Sequence, residues 1–505
     1  MRTSIQPTGR RRPARLAWAL VAAAAVMLTA AAPALAADTW PQFGQDPGHL
    51  GVSGFDTPLP PYERAWKFAM PGRDRSLSAP VISGDTAIAL SASAVYGVDL
   101  ANGEERWRVP RDGGQVFATP AVADVDGVPV LLFTQGDKAD ESSLLAYSLE
   151  DPEAPAKLWE VPLRDVTTSG VSVEGTTAFT GDLSGNVYAV DVVNEVRGVD
   201  ENRDLVTWEH AVDGVLRAPP AIGGGKVVVT AINQTTRRVQ IVALVEATGE
   251  EEWSLAASAT STQATPATIA GDRVLVGFGE PSGGGVLTAF SLGDGLTLWS
   301  TRFSSQFFVL TDILVSDGYA LAFAAHIGLE AGMYHVRLSD GARSTPWNYG
   351  ADQLWSYEFD TSGVLSSPVA IGNTVVLGLD DGRMAAIDTA SGLLVWKADV
   401  GDAPIRGLAA GDGVLIASVG SREGGLVAFR NDPDGEPLAE VSSSKPNWGV
   451  MLGNYAIAFA GVGVAAGVIG LLARRRGWAS GARRPDDDPD EPDDDDEAPD
   501  GEEPS

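Results

Sequence analysis

The chain contains no cysteine in its 505 residues. Within this sequence that excludes disulfides, thiolate zinc sites and a lipid-modified Cys. Stability must therefore come from burial, which a chain this long can supply. Histidine is almost as scarce, with four residues: His49, His210, His326 and His335. No two stand at a helical metal-ligand spacing, so surface or strand positions are expected for all four. Patterns for a serine nucleophile elbow or a phosphate loop are missing. Gly283-Gly284-Gly285 has no Lys after it and reads as turn glycine. Asp124-Val125-Asp126-Gly127 and Asp432-Pro433-Asp434-Gly435 lack the further oxygen ligands of a calcium loop, so they read as hairpin turns. No catalytic, cofactor-binding or metal residue is assigned.

Positive charge is also short. There are 36 Lys and Arg against 67 Asp and Glu, a net charge of −31. Residues 1–36 hold five Arg and no acid, and the run from Asp486 holds thirteen acids and no base. An acidic surface of this kind repels nucleic acid and anionic headgroups and favours solubility.

What the chain has in quantity is glycine, 58 residues, and a ladder of tryptophans. Val98-Asp99-Leu100-Ala101-Asn102-Gly103 leads to Trp107, and Ile387-Asp388-Thr389-Ala390-Ser391-Gly392 leads to Trp396. Looser copies run from Val245 through Gly249 to Trp253 and from Ser291 through Gly295 to Trp299. The full ladder is Trp66, Trp107, Trp159, Trp208, Trp253, Trp299, Trp355 and Trp396, with gaps of 41, 52, 49, 45, 46, 56 and 41 residues. Such a period marks a propeller or array. In step with it, a small residue and then Pro recur at Ala79-Pro80, Thr119-Pro120, Ala218-Pro219, Thr265-Pro266 and Ser367-Pro368. Apolar runs broken by a turn follow each pair and predict hairpins.

Each unit then holds four short strands. The Gly takes a positive φ, the Asp bonds turn amides, and the Trp offers a broad apolar face with one N–H. A four-stranded sheet cannot bury both faces alone, but radial stacking buries them. Counting gives eight units, with seven open if two irregular ones share a sheet. The eighth, Pro404 to Val441, has Ala439 where Trp is due, while the strand around Trp66 has no unit before it. Trp66 is therefore expected to supply the outer strand of the last blade. Three units are stretched at the same junction, at Glu150–Pro155, Asn194–Asp204 and Ala342–Asp352, so these insertions should protrude from one side of the disc.

Residues 1–36 read as a secretory signal, with Arg10–Arg12 and Arg15, an apolar run from Leu16 to Ala32 and the cleavage site Ala34-Leu35-Ala36. The ectodomain is expected over 37–442 and a linker over 443–454. Residues 455–473 form an apolar stretch followed by Arg474–Arg476, the pattern of a single transmembrane helix with a cytoplasmic end. The acidic tail 474–505 is too polar to fold. The location implied is the plasma membrane, single-pass, with the N-terminal ectodomain outside and the C-terminus in the cytoplasm.

The small-x-Asp-x-x-x-Gly-x-x-x-Trp unit resembles the tryptophan-docking repeat of the pyrroloquinoline-quinone-like β-propeller superfamily. Tyr96 to Trp107 and Ala386 to Trp396 carry the likeness, and Trp40-Pro41-Gln42-Phe43 with Asp46-Pro47 is similar to the start of bacterial members. The resemblance implies an all-β, eight-bladed ring. Its dehydrogenases share a vicinal cysteine pair over the quinone and a calcium site of Glu, Asn and Asp; this chain has no cysteine and no motif that carries the ligand set. Its assembly scaffold of the outer-membrane machinery is tethered by an N-terminal lipidated Cys, also lacking here. The function expected is a non-catalytic surface propeller that binds an envelope protein or polymer, without cofactor or nucleic acid. The alternative is a quinone-dependent dehydrogenase.

Overall fold

The computed structural model describes residues 39–54, 59–71, 77–113, 118–198, 204–260, 264–279, 285–303, 307–309, 311–326, 330–343, 356–359, 366–401, 403–420 and 424–435. All belong to one unit, Met1–Ser444. The expected signal, linker, membrane helix and tail lie outside them, as do Trp355 and Ala439.

Among the described residues, thirty-four strands form eight antiparallel sheets. The first blade runs outward from Val81–Ser83 through Thr86–Leu90 and Ala94–Asp99 to Glu105–Pro110. Its middle strands are almost wholly buried, while the outer one alternates. That pattern is what radial stacking requires of the inner part of a blade. Two blades differ from the simple scheme. In the fourth the inner strand is split into Val215–Leu216 and Ala221–Gly223, and in the sixth into Phe307–Val309 and Leu314–Ser316. Pro219 and Pro220 explain the first break, since neither can donate to the ladder.

The ring closes with strands from both ends of the chain. Tyr62–Ala69 pairs antiparallel with Gly425–Asn431, placing Phe68 opposite Leu426 and Trp66 opposite Ala428. Trp66 thus stands where Ala439 leaves the eighth blade short, and the count of eight holds.

Five of the described indoles reach into a turn of the next blade. The Nε1–H groups of Trp66, Trp159, Trp208, Trp253 and Trp299 donate to the carbonyls of Leu100, Val193, Glu246, Leu292 and Leu338 at 2.8–3.0 Å. These acceptors lie in turns, and in four of them the turn glycine lies under the ring. A Cβ on Gly103 would come within 2.7 Å of Trp66, and Gly249, Gly295 and Gly341 are similarly covered by Trp208, Trp253 and Trp299. Gly103 has φ 77° and Gly392 has 71°, so the turn also demands the left-handed region. Asp99 Oδ1 accepts the amides of Ala101 and Asn102, as expected of the turn acid. Trp396 has no such turn ahead of it in the eighth blade and donates to the Tyr62 carbonyl instead, 3.0 Å away.

Four hydroxyls just ahead of an inner strand have a further job, and one of them, Thr265, is the small residue before a recurrent Pro. Ser78, Ser169, Thr265 and Ser366 each accept, on Oγ or Oγ1, the amide twelve residues on, from Leu90, Gly181, Gly277 and Gly378 at 2.8–3.0 Å. The hydroxyl caps the end of the second strand, where the ladder would leave a buried donor unpaired.

Candidate functional site

An inner strand has one edge facing the axis with no neighbour, so its amides need another partner. Residues 40–53 supply it by running round the axis from blade to blade. Ile82 donates to the Trp40 carbonyl, Val122 to Pro41, Ile222 to Pro47, Ile269 to Gly48, Val315 to Leu50 and Ala370 to Gly51, at 2.7–3.1 Å. In the third blade a side chain does this work: Val173 donates to Gln42 Oε1 while Gln42 Nε2 donates back to its carbonyl. The circuit ends in the eighth blade, where Ser53 Oγ donates to the Ala410 carbonyl. One strap therefore touches all eight inner strands in order. Nothing in its composition announces this, and the expectation for residues 40–53 went no further than a resemblance.

His49 lies in the strap and is 1% exposed, which corrects the surface or strand position expected of it. Nδ1 faces the Ala267 carbonyl at 3.0 Å and must donate, leaving Nε2 to accept from Ser172 Oγ at 3.2 Å. The neutral ring is thus fully bonded. Desolvation lowers its pKa to about 4, opposed by the Ala267 bond. Asp46 folds the strap by accepting the amides of Gly48 and Leu50. Burial nevertheless pushes its pKa up to about 6, and nearby Glu174 adds to the rise. The other histidines sit on strands as expected: His210 in Val206–Ala211, His326 in Tyr319–His326 and His335 in Glu330–Arg337. Among the described residues no group of three or more His, Asp or Glu is placed to hold a metal ion. Asp124 Oδ1 accepts the Gly127 amide and Asp432 Oδ1 the Asp434 amide, the contacts of tight turns.

The superfamily's dehydrogenases imply pyrroloquinoline quinone, a tricarboxylate that needs cations and free amides. At the strap the inner-strand amides are already bonded, the ionisable neighbours Asp46 and Glu174 are acids, and His49 is held neutral. These residues do not fit the group, and no step is derived through it.

Between the sixth and seventh blades the repeat itself is broken. Across from Trp66, Trp107, Trp159, Trp208, Trp253, Trp299 and Trp396 stand Ala428, Gly97, Ala146, Ala189, Ala243, Ala289 and Ala386, all small. In the sixth blade Tyr334 pairs with Ser356, which puts His335 at that place. His335 is buried and stacks on Tyr319 with centroids 4.0 Å apart. Ser316, Asp317, Asn373 and Thr389 join them round a cavity of about 190 Å³. A second cavity, about 360 Å³, lies between the fourth and fifth blades. Sequence reading found neither, although a residue-by-residue superposition of the repeats would have exposed His335. Of the three insertions, the described parts of the first two follow a third strand and precede a fourth, on the same side as the docking turns.

A ring of eight sheets, with tryptophans that bond across six of its seams, defines a propeller of the pyrroloquinoline-quinone-like superfamily. The family model described as outer membrane protein assembly factor BamB matches residues 140–307, 192–349 and 284–456, more than half of the chain together, and the chain belongs to that family. The outer membrane protein assembly factor BamB of Burkholderia pseudomallei (strain K96243) is 28% identical over 304 residues, covering 57% of this chain and 72% of its own. The crystal structure of BamB from Moraxella catarrhalis superposes with a TM-score of 0.51 at 16% identity, over 73% of this chain and 99% of that one. A europium-containing methanol dehydrogenase reaches 0.54 at 13% identity, over 77% and 90%. At such identities the structural likenesses are of fold alone.

Proposed function

We propose that this propeller is a non-catalytic scaffold of the cell envelope that holds a protein or polymer during assembly. The observation that carries the reading is the strap. The axis, where a ring fold offers its most enclosed space, is bonded to the chain's own residues 40–53. Binding then falls to the seams and turns of the disc, as in a scaffold. Kinship with an outer membrane protein assembly factor supports the same class of partner. The apolar stretch 455–473 and Arg474–Arg476 favour a tether in the plasma membrane with the disc outside and the acidic tail in the cytoplasm.

Crosslinking in intact cells followed by mass spectrometry tests this. The expected result is one envelope protein or polymer joined to the disc at a reproducible face. The dehydrogenase alternative is tested on the same protein by adding the quinone and calcium and following dye reduction with alcohols and sugars. Turnover there overturns the scaffold reading, as does failure to recover any envelope component.

A further inference from the structure

The seam between the fourth and fifth blades contains a groove of about 360 Å³, within the range of about 300–1000 Å³ typical of ligand pockets. One of its lining residues departs from a place that three blades give to tyrosine. The residue just before the one at the column facing the Trp ladder is Tyr96 in the first blade, Tyr188 in the third and Tyr334 in the sixth, and Leu145, Val242, Ala385 and Val427 in the second, fourth, seventh and eighth. Each of these rings reaches back to the preceding blade. Tyr96 packs on Phe68 and Tyr334 on Phe303, and the Tyr188 hydroxyl accepts the Arg164 amide. In the fifth blade the same position is Thr288, whose hydroxyl bonds Ser300 across the strand pair at 3.0 Å. The first, third and sixth blades put a phenol ring at this place; here the groove is walled by Leu255, Phe278 and Phe290.

Two further observations say what suits it. Arg302 lines the groove and is exposed, a positive group on a chain of net charge −31. Leu296 and Leu298, at the start of the same outer strand, are 65% and 46% exposed, two of the four most exposed large apolar side chains among the described residues. Apolar side chains clustered beside a pocket mark an interaction surface more often than they occur by scatter. Aromatic anchors entering a pocket ringed by weaker contacts are the usual core of a protein interface.

We infer that this groove receives an aromatic side chain, flanked by acidic residues, from a partner polypeptide. The ring takes the volume that tyrosine fills at the first, third and sixth blades. The acid meets Arg302, and the partner's backbone covers Leu296 and Leu298. The inference rests on the scaffold reading, since it names that scaffold's partner chemistry.

The test uses the full chain and a fluorescent Asp-Tyr-Asp peptide blocked at both ends, with Asp-Ala-Asp as control, read by anisotropy. The tyrosyl peptide should bind and the control should not. Thr288→Tyr fills the groove with the residue used in three other blades and should weaken binding roughly tenfold, as loss of an anchor pocket does. Arg302→Gln should weaken it less and remove most of its salt dependence. If Thr288→Tyr does not fold by thermal melt, Ala257→Leu narrows the groove from the opposite wall and should give the same loss. Equal binding to wild type and the filled variant overturns the proposal. So does binding of laurate in place of the peptide, or a dimer that Thr288→Tyr dissolves. Crosslinks to an envelope protein elsewhere on the disc, with no peptide binding, overturn the groove and leave the scaffold standing.

Discussion

The ring is closed twice, at its rim and at its hub, by different means. At the rim four seams use one device: an indole over a glycine turn, with its N–H on the next blade's carbonyl. At the hub a single strap meets eight inner strands, and its partners vary from main-chain carbonyls to the Gln42 amide and the Ser53 hydroxyl. Rim contacts are repeated, so losing one leaves the others. Hub contacts belong to one short peptide and stand or fall together.

Removing the strap should therefore have the largest effect. Deleting residues 39–54 leaves seven inner-strand amides without their acceptors, and each buried orphan costs about 1–3 kcal/mol. The truncated ring is expected to lose its cooperative thermal transition, and amide exchange at Ile82, Val122, Ile222 and Ile269 should rise together. A native-like melt would show that the hub is dispensable.

At the rim, Trp66→Ala opens the one seam that joins the chain's two ends. A loss of about 3–5 kcal/mol is expected for a buried tryptophan. Trp66→Phe keeps most of the packing and removes the bond to Leu100, for about 1 kcal/mol. Urea unfolding of both variants separates the ring from its N–H.

The next effect distinguishes a covered turn from an open one. Gly103→Ala drives a methyl to within 2.7 Å of Trp66 and strains a φ of 77°, so about 2–3 kcal/mol is expected from overpacking and backbone together. Gly84→Ala, at φ 55° with nothing nearby, carries the backbone term alone, about 1 kcal/mol. Equal losses would mean that the indole does not press on the turn.

The smallest effect is a pH slope at the hub. Folding lowers the His49 pKa from 6.5 to about 4, so between those values the unfolded state binds the extra proton. Its contribution is present in full above pH 6.5 and is lost as pH falls to 4. Folding raises the Asp46 pKa from 3.8 to about 6, so its contribution is full below 3.8 and lost as pH rises through 6. The two slopes oppose each other over the same window. Asp46→Asn should therefore steepen the loss of stability on acidification, and His49→Gln should flatten or reverse it. Each change is on the order of 2–3 kcal/mol across the window. Chemical denaturation at pH 4, 5, 6 and 7 reads both, and unchanged slopes would place neither group in a dry hub.

The rim could be read from the chain because it repeats. Trp spacing, turn glycines and the recurrent Pro give eight units, and the unmatched Trp66 strand tells where the ring closes. The hub could not be read, because the strap occurs once and pairs through its backbone, which side-chain identity barely constrains. His335 and Thr288 fall between these cases. Each is a departure from a column of otherwise similar residues, visible only after strand pairing has put the columns in register. Of the hydroxyls of Ser78, Ser169, Thr265 and Ser366, only Thr265 stood among the small residues before Pro, and the amide partners twelve positions on were not legible.

The pairing of Tyr62–Ala69 with Gly425–Asn431 bears on biosynthesis. A ribosome makes the first of these strands some 360 residues before the second. Throughout that interval a bare β edge waits without its mate, inviting association with any other extended segment. Only the late arrival of Gly425–Asn431 gives that edge its native mate.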